Sequence, residues 1–128
     1  MSINAPSLIN EWAEFEGLTV GTSGPSRRLA VTFDRVRVNL IETPGQGVLV
    51  ESRIADIPLN IGERDRLIER AMITSTARLR DSAVTLCADK DACCLLLQVQ
   101  VPSGSDVHAL SSAVQNLVNE VDLWRTQL

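Results

Sequence analysis

Apolar and polar residues alternate along this chain with two distinct periods. Residues 6–16 place Leu8, Trp12 and Phe15, with Ile9 beside them, at helical spacing. Pro6 suits the first turn of that helix and Gly17 is a natural stop. A turn-rich stretch, 21–28, follows as an exposed loop. The period then changes to two. Leu29, Val31 and Phe33 alternate with Ala30, Thr32 and Asp34, and beyond a tight turn at Asp34–Arg35 so do Val36, Val38 and Leu40 with Arg37 and Asn39. A hairpin connection at 43–47 leads to Val48, Val50, Ser52 and Ile54, and Pro58 ends that run.

Residues 63–76 return to helical spacing. Leu67, Ile68, Ala71 and Met72 form the apolar stripe, and Asn60 and Glu63 are spaced as a capping box. A second hairpin joins 83–88 to 92–101 through Asp89-Lys90-Asp91. The later strand is apolar on both faces near its start, since Cys94 and Leu96 join Cys93, Leu95 and Leu97. It is therefore expected to be central, or covered by a second subunit. Ser103 to Asp106 break the chain and start a last helix, whose face carries Val107, Leu110, Val114, Leu117, Val121, Trp124 and Leu128. The predicted order is α-β-β-β-α-β-β-α. It makes a single α+β domain over residues 1–128, with a twisted antiparallel sheet of about five strands flanked by three helices.

Composition narrows the function. The 128 residues include 45% apolar and 22% charged, with a net charge of −4. An acidic chain without a basic tail is a poor match for duplex nucleic acid, and 3% aromatic residues are too few for stacking on single strands. No apolar run reaches the roughly 18 residues of a membrane span. The first 16 residues carry acids inside their apolar pattern, unlike a signal peptide. Cys87, Cys93 and Cys94 have no metal spacing and read as reduced thiols of a cytosolic protein. A lone His108 excludes a histidine triad or multi-histidine metal site and reads as a surface or capping residue. Asp89 and Asp91 lack the rest of a calcium loop and read as solvated turn residues. Gly21 and Gly24 lack any phosphate-cradle pattern. No catalytic, cofactor or metal site is expected. What remains is apolar surface and sheet edges that must be covered.

Three segments carry a resemblance. Leu29-Ala30-Val31-Thr32-Phe33-Asp34 with Val36-Arg37-Val38-Asn39-Leu40 resembles the paired strands of the class I type III secretion chaperones, the Tir chaperone-like family. Residues 48–58 resemble that family's third strand, ending in proline, and 117–125 resemble its closing helix. The segment 75–82 is more polar and Arg-rich than the family pattern. The resemblance implies a cytosolic bacterial homodimer that binds the N-terminal part of a secreted effector in extended form and keeps it competent for export. It implies no enzymatic activity, no nucleic acid partner and no membrane insertion. By family position, Leu8, Trp12, Phe15, Leu29, Val31, Phe33, Val38 and Leu40 supply effector-facing and core surface. Leu67, Ile68, Ala71, Met72, Leu95, Leu97 and Val99 supply the dimer interface. The alternatives are a small ligand-binding regulator or enzyme of the same element order, and an adaptor subunit of the secretion machinery.

Overall fold

A computed structural model describes residues 8–17, 27–43, 45–80 and 82–128. Pro6, most of the turn-rich loop, Gly21, Gly24 and Pro44 lie outside them. The elements run α1 (Leu8–Phe15), β1 (Arg27–Phe33), β2 (Val36–Thr43), β3 (Gly47–Asp56), α2 (Ile61–Arg78), β4 (Thr85–Ala88), β5 (Cys94–Val101) and α3 (Val107–Gln127). That is the expected order of three helices and five strands.

The strands form one antiparallel sheet in the order β1-β2-β3-β5-β4. Period-two alternation sorts their side chains, because residues directly opposite one another share a face. Leu29, Leu40, Val50 and Val99 follow each other across four strands, as do Ser52, Leu97 and Leu86 across three. This face lies under α3, whose Leu110, Val114, Leu117, Val121 and Trp124 are all buried in the same core. Ser52 is the polar member of that layer, and its hydroxyl donates to the Arg37 carbonyl at 2.8 Å. β5 lies between β3 and β4; at its start Cys94 on one face and Leu95 on the other are both buried, whereas Cys93 is exposed and Leu96 half-buried.

Local chemistry sets the ends of the elements. Asn60 accepts the Glu63 amide at 3.0 Å to start α2, and Asp106 accepts the Ala109 amide at 2.9 Å to start α3. The β1–β2 turn holds Asp34 at φ 48° and Arg35 at φ 70°, the left-handed pair that a two-residue hairpin needs. Asp89 differs from the solvated turn residue expected. Its Oδ1 accepts the amides of Cys93 at 2.6 Å and Cys94 at 3.1 Å, so Cys93 sits in the bend and β5 starts at Cys94. Those two amides hold the Asp89 carboxyl below the usual carboxylate range.

Candidate functional site

Two apolar regions stand out, one at each end of the sheet. The first is built by α1 and β1. Helix α1 has only eight residues, too few to persist alone, so its docking contacts define it. Trp12 is buried and donates from Nε1 to Ser111 Oγ of α3 at 3.1 Å. Ser111 in turn donates to Glu16 at 2.7 Å, and the Ile9 amide donates to Glu42 of β2 at 3.2 Å. The Trp12 ring meets Phe33 of β1 edge-on at 6.1 Å, and Phe15 meets His108 edge-on at 5.3 Å. His108 itself is exposed.

These contacts divide the expected effector-facing residues. Trp12, Val38 and Leu40 belong to the closed core. Leu8, Leu29, Val31 and Phe33 are half-buried, and Phe15 is 54% exposed. The difference is positional: β2 has a strand on each side, whereas β1 is a sheet edge. Leu29, Val31 and Phe33 form a row on that edge strand beside α1.

The second region is α2. Ala71 is buried against the core and Leu67 half-buried, and the helix packs chiefly on α3. Ile68 is exposed and Met72 is 64% exposed. Leu95 and Leu97, also expected at a subunit interface, lie inside the core of the single chain, and Val99 is half-buried. Leu59, Ile61, Ile73 and Leu79 are exposed apolar residues that the sequence reading passed over. Their signal was present, since at 100° per residue Ile61, Ile68, Met72 and Leu79 fall within about 40° of one another.

Among the described residues no cluster of three or more His, Cys, Asp or Glu could hold a metal ion. No described helix is long and apolar enough to cross a membrane. All three cysteines are free, and burial, followed by the nearby Glu51, pushes the Cys87 thiol up.

Residues 8–125 match the Tir chaperone protein (CesT) family. The chain belongs to that family. Its fold is also found in solved type III secretion structures. The chain is similar to one in the ExsC–ExsE complex, at 19% identity and TM-score 0.70, with 94% of this chain and 90% of that one covered. A chain of the Pseudomonas aeruginosa ExoU–SpcU complex aligns at 20% identity and TM-score 0.69, covering 94% and 97%. One in the Yersinia pestis complex of the secretion chaperone SycH with a fragment of YscM2 aligns at 20% and 0.62, covering 91% and 95%. No curated protein matches the chain in sequence.

Proposed function

We propose that this CesT-family protein is a cytosolic type III secretion chaperone of a bacterium. It binds the N-terminal region of a cognate effector and keeps it soluble, partly unfolded and competent for secretion. The observation that carries the reading is the family match over residues 8–125, on a fold whose solved relatives are bound to partners. The chain works by binding alone. An extended effector segment pairs its backbone with the free edge of β1, and its apolar side chains reach Leu29, Val31, Phe33, Leu8 and Phe15.

The second apolar region serves a different partner, a second copy of the chain. A two-fold pair joined through α2 covers Ile68 and Met72 on both copies at once. The expected particle is about 28 kDa, twice the 14.0 kDa chain. Met72→Glu sets a charge into that contact and should give a folded monomer by light scattering. A variant that remains dimeric places the interface elsewhere. The client reading is tested by co-expression with the product of the neighbouring open reading frame, followed by limited proteolysis of the purified complex. A protected N-terminal segment of several tens of residues supports it. Protection of a fully folded partner favours the adaptor alternative instead.

A further inference from the structure

Helix α2 is long but thinly anchored. Of its 18 residues only Ala71 is buried. Near its C-terminal end, however, Arg78 reaches across to α3. Its guanidinium Nη2 donates to Glu120 Oε1 as an ion pair, and the other carboxylate oxygen accepts the Trp124 indole N–H at 3.2 Å. Glu120 is only 7% exposed and is the one buried charged residue among those described. The packing around the pair is open. A cleft of about 220 Å³ runs past Arg78 between Leu79, Val84, Leu86 and Trp124, and another of about 290 Å³ opens toward Asn116 and Asn119.

A buried ion pair seldom stabilises a fold more than apolar side chains of the same volume. What it supplies is direction, because a planar guanidinium and a carboxylate bond only along fixed vectors, whereas apolar contact is tolerant of rotation. We propose that Arg78, Glu120 and Trp124 form the joint that fixes the direction of α2 against α3. That direction sets how the exposed stripe of Ile61, Ile68, Met72 and Leu79 meets a second copy. The second half of the proposal rests on the homodimer reading; the first does not.

The test replaces the pair by apolar side chains, Arg78→Met with Glu120→Leu, and reads three quantities on the full chain. The melting temperature should fall by no more than a few degrees, since no charge is left unpaired and the one buried group that loses its partner is the Trp124 indole N–H. Amide exchange over residues 71–78 should quicken about tenfold, and the dimer dissociation constant should rise by about the same factor. A pair that merely holds the fold together would lower the first quantity sharply and leave the last alone. Unchanged exchange overturns the joint. Faster exchange with unchanged pairing overturns its role in assembly. If the wild type sediments as a monomer, the homodimer reading and the assembly role both fail, and exchange alone decides the joint. Should the double variant fail to fold, Glu120→Gln removes the charge and keeps one acceptor oxygen, for Arg78 or for Trp124 but not both, and its exchange should quicken by a smaller factor; no change again overturns the joint.

Discussion

Trp12→Ala is the sharpest probe of the α1–β1 region. The ring buries roughly 200 Å², worth about 5 kcal/mol at 25 cal/mol per Å². Its bond to Ser111 adds about 1 kcal/mol, and the edge contact with Phe33 adds about as much again. Relaxation around the site trims such sums, and Trp→Ala changes in cores generally cost about 3–5 kcal/mol. Here a second limit applies. Eight residues cannot hold a helix without docking, so once the cost exceeds the docking energy of α1, the helix leaves and the sheet with α3 stays folded. Global stability should therefore fall by about 3 kcal/mol, near the low end, while exchange protection of the α1 amides disappears altogether. Trp12→Phe keeps most of the packing and loses only the bond to Ser111, so it should cost about 1 kcal/mol. Urea denaturation and residue-resolved hydrogen exchange measure both effects, and affinity for the effector segment should drop in step with the loss of α1. Protected α1 amides in Trp12→Ala, or a stability loss under about 1 kcal/mol, would refute the claim that this ring docks the helix.

Other expectations are independent of the client. Gly47 opens β3 at φ +96°, and a Cβ there would lie 2.0 Å from the Val101 carbonyl oxygen and 2.7 Å from the Ser103 nitrogen. Gly47→Ala should cost about 3 kcal/mol or more by urea denaturation, because both neighbours are backbone; a loss under about 1 kcal/mol would show that the hairpin can shift. Asp89 titrates below its ordinary value of 3.8 because its carboxylate accepts two backbone amides. A depressed folded-state value means stability that is present above 3.8 and is lost as pH falls through the lower, folded value. Asp89→Ala should thus lower the melting temperature at pH 7 and lower it less in strong acid; an equal drop at both would sink the account.

Features written in neighbouring residues were legible in the sequence. The Asp34–Arg35 turn, the Asn60–Glu63 cap and the seven-residue stripe of α3 each depend on contacts a few positions apart, and each is where the spacing puts it. What spacing does not carry is the neighbour across the fold. The same alternation gives full burial to Val38 and Leu40 and half burial to Val31 and Phe33, because only the strand order reveals β1 as an edge. Leu97 is apolar whether it faces α3 or another subunit, and its pairing with Ser52 and Leu86 decides for the core. Arg78 and Glu120 are 42 positions apart. The one local hint of their meeting is that Glu120 occupies a place on the buried stripe between Leu117 and Trp124, where an acid needs a partner.

The strand order also separates the two apolar regions. β1 and β4 are the two edges, four strand spacings apart, or about 19 Å at 4.8 Å each. α1 lies against β1 and β2, whereas the end of α2 lines a cleft with Thr85 and Leu86 of β4. The edges are unequal as well: β4 offers four residues, too short to template a long added strand, and β1 offers seven. An extended client therefore has one long edge to pair with, and it lies at the far end of the sheet from the helix assigned to the second copy. Both sites dock on α3, Trp12 at Ser111 and Arg78 at Glu120, but those positions are nine residues apart on the helix, or roughly 14 Å at 1.5 Å per residue, beyond the separation at which perturbations usually couple. On that geometry Trp12→Ala should take Leu8 and Phe15 from the proposed client surface and weaken client binding, while a second copy held through α2 should still pair, so the two proposed contacts should be separable by mutation.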